Sequence, residues 1–393
     1  MNSLPLLVAF SSVIWIVLLS QGQPATDDVS RESTISVFDK PVEFNGWKGE
    51  VTFPGKLSAI NIGLFFPYDP ADPLAGPILQ AAEMAITEFN SAGGYYGVPF
   101  QLKARWSYNP WGAGSKEMIK LVYEDSVWAV IGSLDGTATH IAQQIITKAR
   151  VPLLSPVSAD PTLNYIRIPW IFRLPPDFAV QSKVIAEQGI AAASLKKIGL
   201  LTSTDHDGRI FSKEMIACLR NIQVTPYFHF EISSSGLDIN ELILRLNSYE
   251  IEALVIYLPP SVIRTIIARF QKSGRDLTII LPWIPGMKTV EIADLYDGDL
   301  YSIQAFSESA NAQYAIFTDA FLHRYGMHPP PDAAYTYDAV RLLVHALFKS
   351  GLNRSLLREE ITFIGTYQGV TGTICWDNGG GNRVEPLLKL GGE

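Results

Sequence analysis

Asp205, His206 and Asp207 stand together in STDHDGR, the one acid-rich cluster in the chain with catalytic or metal-binding potential. Such chemistry needs a second set of donors, and the sequence shows no matching cluster. The six histidines are scattered. His323 and His328 lie five apart, but Tyr325, Gly326 and the Pro329–Pro331 run place them at a helix end and loop. No G-x-S-x-G elbow, P-loop, strand-following G-x-G-x-x-G, H-E-x-x-H or C-x-x-C occurs. The expectation is therefore a protein that is no enzyme, with no catalytic residue, metal or cofactor. DNGGGN at 377–382 reads as a flexible turn rather than a phosphate loop, and NRS at Asn353 matches a glycosylation acceptor.

Binding chemistry is better represented. The segments SLDGTA (133–138) and SPVSADP (155–161) gather small and hydroxyl-bearing residues where apolar strands stop, Gly136, Thr137, Ser158 and Ala159 among them. Helices begin directly after several such turns, so their free N–H groups offer a place for a carboxylate or another acceptor. Helix capping alone also favours Ser, Thr and Asp there. Capping does not account for aromatics. Tyr108, Trp111, Tyr257 and Trp283 sit in or beside turns and are suited to the apolar wall of a solute pocket.

The elements that must position these residues alternate regularly. INIGLFF, FQLKARW, VWAVIG and VPLLSP read as strands, separated by amphipathic helices. The first helix places Ile78, Leu79, Ala82, Ala85, Ile86 and Phe89 on one face. After a break at Pro175–Pro176 the rhythm resumes with KIGLLTS, VTPYFHFEI, EALVIYL and LTIILP, with helices near 209–221, 238–248 and 260–273. Two further helices are expected near 312–325 and 332–349. Repeated strand–helix units imply parallel sheets covered on both faces, and two series imply two doubly wound α/β lobes. Ligands of such sheets bind outside the carboxyl ends of the strands, so the polar turns of both lobes should meet at one crevice.

Composition narrows the class. The chain has 393 residues, 47% hydrophobic and 18% charged, with a net charge of −8 and no basic run, which argues against a nucleic-acid partner. Leu4 to Leu19 is an apolar run short for a bilayer span, which needs about 20 residues, and is expected to be a signal-peptide core, with an uncleaved anchor as the alternative. Residues 1–25 are read as the signal and 26–55 as a polar lead-in, which places the mature chain in the periplasm. Cys218 and Cys375 are the only cysteines. Cys218 shares a helical face with Phe211, Met215, Leu219 and Ile222 and reads as a buried small hydrophobe, with a bridge to Cys375 as the alternative.

INIGLFFPYDPADPLAGPILQAAEMAITEFNSAGGYYGVPFQLK resembles the opening of the leucine/isoleucine/valine-type periplasmic binding proteins (type I). AVIGSLDGTAT, VPLLSPVSADPTL, PWIFRLPPDFAVQ, PDAAYTYDAVRLLVHAL and YQGVTGTICWDNGG resemble later family motifs, so the likeness covers roughly 56–385. The resemblance implies two lobes joined by three hinge crossovers, 56–175 plus 304–369 and 176–303 plus 370–393, closing on a small solute. It also implies a monomer that serves an ABC importer permease in the inner membrane, with a ligand-sensing subunit of a receptor or kinase as the alternative. The family's carboxylate-binding hydroxyl positions fall here at Gly136, beside Thr137, and at Ala159, beside Ser158. Its second-lobe aromatic falls at Asp207, and its ammonium-pairing acid falls near Trp283. Part of the amino-acid grip is thus rearranged. If Asp207 faces the cleft it replaces the lost acid; otherwise an aromatic solute held by Trp283, Tyr257 and Trp111 fits better.

Overall fold

The computed structural model describes residues 48–391 apart from 234–237, 275–276, 288–291 and 309–310. The signal-like segment and all but the last residues of the lead-in lie outside the described residues. Strands β1 (Ile60–Phe65), β2 (Phe100–Ala104), β3 (Val130–Gly132), β4 (Leu153–Ser155) and β5 (Ile171–Arg173) form a parallel sheet in the order β2-β1-β3-β4-β5. Helices α1 (Ala75–Ser91), α2 (Ser115–Tyr123), α3 (Gly136–Ala149) and α4 (Thr162–Tyr165) connect them. The face of α1 expected from periodicity is buried at Ile78, Leu79, Ala82, Ala85 and Ile86. β3 is apolar and wholly buried, as a strand covered on both sides must be.

Past β5 the chain crosses into α5 (Phe178–Val184) and a second sheet. This sheet comprises β6 (Ile198–Ser203), β7 (Phe228–Ile232), β8 (Ala253–Tyr257), β9 (Thr278–Leu281) and β10 (Leu300–Gln304), with α6 (His206–Asn221), α7 (Ile239–Asn247) and α8 (Pro260–Ser273) between strands. The chain then returns to the first lobe as α9 (Ala312–Tyr325), α10 (Pro331–Ser350) and α11 (Arg354–Thr362), where α10 packs along α1. A hairpin, β11 (Tyr367–Gly369) and β12 (Gly372–Ile374), precedes the last passage to β13 (Leu387–Leu390). β13 joins the second sheet antiparallel to β10, giving the order β13-β10-β9-β8-β6-β7. The doubly wound two-lobed architecture expected from the alternating pattern is what the chain forms.

Buried polar groups fasten the crossovers. Arg173, 1% exposed, donates to Asn164 Oδ1 (3.1 Å), the Pro175 carbonyl (2.5 Å) and Asp177 Oδ2 (2.6 Å), while Asp177 also caps α5. On α10, Asp338 accepts from the Val370 and Thr371 N–H groups and from Thr371 Oγ1, which holds the hairpin turn. The DNGGGN segment is a closed turn, its Asp377 Oδ1 accepting from Gly379 N and Gly381 N. Asn353 is 3% exposed and caps α11 while donating to the Lys48 carbonyl, so its amide is already engaged inside the fold and offers no glycosylation acceptor. Both cysteines are free, with Cys218 half-buried against the core and Cys375 buried. Among the described residues no helix is long and apolar enough to cross a membrane.

Candidate binding cleft between the two sheets

The polar turns of the two lobes meet. A cavity of about 240 Å³ is lined by Leu134, Asp135 and Thr137 after β3, and by Ser203, Asp205, His206 and Asp207 after β6. Tyr257, Leu258 and Pro259 after β8, with Ile284 and Pro285 after β9, complete it. All lie at carboxyl ends of strands, and the turns after β3 and β6 adjoin the points where strand order reverses, as open α/β sheets require.

The N-terminus of α3 aims at the second lobe. Asp135 caps it by accepting from Ala138 N at 2.7 Å. The next free donor, Gly136 N, is taken by Asp207 of the other lobe, at 3.1 and 3.2 Å to the two carboxylate oxygens. A carboxylate thus occupies the helix N-terminus, where the positive end of the macrodipole favours it. Only glycine fits at 136. A Cβ there would press into Asp207 Oδ1, and would lie 2.7 Å from Asp160 Oδ2 and 2.9 Å from His206 Cδ2.

A second bridge runs beside the first. Asp160, fully buried, accepts at Oδ2 from His140 Nε2 (3.0 Å) in its own lobe and from His206 Nε2 (2.6 Å) across the cleft. Its other oxygen accepts from Thr162 N and Oγ1. Burial opposes ionisation of Asp160, but the hydrogen bonds from both imidazoles and Thr162 outweigh it and hold the carboxyl well below the usual range. The bond to Asp160 raises His206 against the opposing effect of burial. Asp207 moves the other way: burial and the neighbouring Asp135 charge push it up to about 7 despite the Gly136 N–H. Asp135 is raised by burial as well. Among the described lining residues, three are carboxylates and none is Lys or Arg, so the cavity favours positive charge.

The anticipated residues divide by position. Thr137, Asp207 and Tyr257 line the cavity. Tyr257 also has its ring stacked on Phe211 and edge-on to Phe178, at centroid distances of 5.2 Å, so much of it serves the core. Ser158 and Ala159 are about 1% exposed and support the wall from behind, Ser158 Oγ accepting from Asp160 N and the Ala159 carbonyl from Phe178 N. Trp283 lies in the seam between lobes, 6.1 Å from the ring of Tyr335 on α10, with its backbone N–H on Gln181. Trp111 is 70% exposed and is not among the lining residues. It follows β2, the edge strand of the first sheet. His140 and Asp160 escaped the sequence reading because only the packing of α3 and the 158–162 turn against α6 brings them to His206.

Comparison with known proteins agrees with this geometry. Residues 59–388 match the model of a family described as periplasmic binding protein. An amino acid binding protein of Pseudomonas aeruginosa is 23% identical over 342 residues, 84% of this chain and 90% of that protein. An ABC transporter substrate-binding protein of Desulfitobacterium hafniense, solved with Leu, superposes with a TM-score of 0.72 at 22% identity, covering 84% of this chain and 97% of that one. A solute-binding protein of an ABC transporter from R. palustris, solved with benzoate, superposes with a TM-score of 0.75 at 16% identity, covering 84% and 93%.

Proposed function

The chain belongs to the periplasmic binding protein family, and we propose that it is exported, captures a small organic solute bearing an ammonium group between its lobes, and delivers it to an ABC importer. As a member of that family it is a binding protein rather than an enzyme. The observation that carries the solute class is Asp207. It faces the cleft, it stands among Asp135 and Asp205, and no Lys or Arg among the described lining residues offsets them. A buried ammonium without a carboxylate is costly, and this cavity supplies three.

Asp207 also holds Gly136 N, at the position where the family resemblance places a carboxylate-binding hydroxyl. A solute carboxylate must therefore displace Asp207, whereas a solute ammonium pairs with it in place. Ser203, 5% exposed with an unpartnered Oγ at the cavity wall, offers a hydroxyl for one further polar contact. Tyr257, Leu258, Pro259 and Ile284 form the apolar side, so an ammonium on a small apolar or aromatic body matches the lining. The solved relatives with Leu and with benzoate show this fold accommodating either kind of body.

The test is a thermal-shift screen of amines, amino acids, aromatic acids and alcohols, because a ligand of the folded state alone raises apparent stability. Amines and amino acids are expected to raise Tm, and Asp207→Asn to remove the effect. If carboxylic acids without an amine are the only compounds to do so, the solute class is wrong. Delivery is checked by deleting the gene and measuring uptake of the identified solute, which is expected to fall.

A further inference from the structure

His140, Asp160 and His206 place two imidazole nitrogens and a carboxylate oxygen within 4.8 Å of one another. How the protons are distributed follows from their neighbours. Gln143 donates its amide N–H to the Leu163 carbonyl at 2.8 Å, which turns its Oε1 toward His140 Nδ1 at 3.0 Å. Nδ1 of His140 then carries a proton, and its Nε2 lies 3.0 Å from Asp160 Oδ2 and 2.8 Å from Thr162 Oγ1. Thr162 occupies the other carboxylate oxygen from two directions, through N and Oγ1, so Oδ2 is the oxygen left to point inward. His206 Nε2 reaches the same oxygen from the opposite lobe. Two imidazole nitrogens thus converge on one carboxylate oxygen, a set of ligand atoms that a bound cation can take in place of imidazole protons.

We infer that His140, Asp160 and His206 form a site for a divalent transition-metal ion of the zinc class, shared between the two lobes. Two imidazoles and one carboxylate are a donor set that zinc accepts, with a fourth position left open. Bond lengths of about 2.0–2.2 Å to such an ion put the donor atoms about 3.3 Å apart. The observed separations of 2.6 and 3.0 Å need to open by about 0.7 and about 0.3 Å. Outer-shell orientation is already in place: Gln143 fixes the His140 tautomer and Thr162 fixes the carboxylate, as metal sites require. The missing side chain at Gly136 leaves the room, since a Cβ there would crowd both Asp160 Oδ2 and His206. Because His206 comes from α6 and the other two ligands from the first lobe, the ion binds the closed arrangement and favours it.

Metal binding is read on untagged protein stripped with a chelator and dialysed, independently of any solute. Zn²⁺ is titrated in competition with a chromophoric chelator, and Co²⁺ is added separately for its visible spectrum. The expected result is one tight equivalent of Zn²⁺ and the intense visible bands of four-coordinate Co²⁺. His140→Ala and His206→Ala should each weaken Zn²⁺ at least about 100-fold, and Gln143→Leu about 10- to 100-fold through the lost orientation. His323→Ala, in the last turn of α9, should leave it unchanged. Zn²⁺ should also lower the radius of gyration of the parent protein but not of His206→Ala. Less than one equivalent, the pale spectrum of octahedral Co²⁺, or affinity equal in the parent and both histidine variants overturns the assignment. The Co²⁺ spectrum uses the parent protein alone, so it decides the matter even where a variant does not fold.

Discussion

Replacing Gly136 with Ala separates closure of the cleft from stability of the fold. The backbone at 136 has no positive φ, and the residue opens a helix, so alanine by itself suits the position. An interior helical Gly→Ala exchange gains about 0.5–1 kcal/mol, which bounds the local effect from above. The added methyl would nevertheless collide with Asp207 Oδ1 and lie 2.7 Å from Asp160 Oδ2, where ordinary contact begins near 3.4 Å. Relieving the collision with Asp207 takes about 1 Å, the shortfall from ordinary contact, as the second lobe withdraws or the Asp207 side chain turns aside, while the Asp160 contact is taken up within the first lobe. The Gly136–Asp207 bonds, now 3.1 and 3.2 Å, then stretch beyond hydrogen-bonding range. A hydrogen bond to a charged group contributes about 1.5–3 kcal/mol, so closure should weaken by about 10- to 150-fold. Small-angle scattering should show a larger radius of gyration for Gly136→Ala, while its urea midpoint stays at or slightly above that of the parent protein. Gly55→Ala, with nothing within 4 Å of the added carbon, is the control. A Gly136→Ala protein whose scattering matches the parent's would refute the reasoning, since the Asp207 contact would then not hold the lobes together.

Asp332, fully buried on α10, accepts from Gly286 N across the seam and has an unpartnered Oδ1. Burial pushes it up to about 7 from 3.8, so the folded protein keeps a proton that the unfolded chain has lost. This group's contribution to stability is therefore greatest at low pH, and falls as pH rises from about 4 to about 7 by about 1.4 kcal/mol per unit. Stability in urea should fall from pH 5 to 7, and Asp332→Asn should lessen the fall by that slope, the remainder coming from Asp207 and Asp338, which burial raises in the same way. Tyr257→Ala should cost about 3–5 kcal/mol in chemical denaturation, because the ring is sandwiched by Phe211 and Phe178, whereas Tyr257→Phe should stay close to the parent. Arg173→Ala should destabilise by about 3–5 kcal/mol, since it strands Asp177 at the first crossover; equal urea midpoints would show that the crossover does not depend on this pair.

The alternation of strands and helices was legible because each element carries its own period. β3 is apolar throughout, and α1 repeats its apolar residues at helical spacing, so local side-chain burial announced both. The clustering of Gly136, Thr137, Asp207 and Tyr257 near one cleft followed from a topological rule about strand ends, without any knowledge of distances. The aromatics were harder. Tyr257, Trp283 and Trp111 look alike as turn residues, yet one borders the cavity, one fills a seam and one faces solvent. Aromatic character alone does not say which neighbour covers a ring.

What the chain determined by itself is the pair of sheets and the set of turns at their strand tips, because periodicity and handed crossovers are properties of consecutive residues. What only the tertiary structure decided is which of those turns touch. His140, Asp160 and His206 lie 20 and 46 residues apart along the chain and meet at one carboxylate oxygen. Their meeting depends on how α3, the 158–162 turn and α6 pack across the cleft. No spacing in the sequence encodes a contact between side chains that approach from two different sheets.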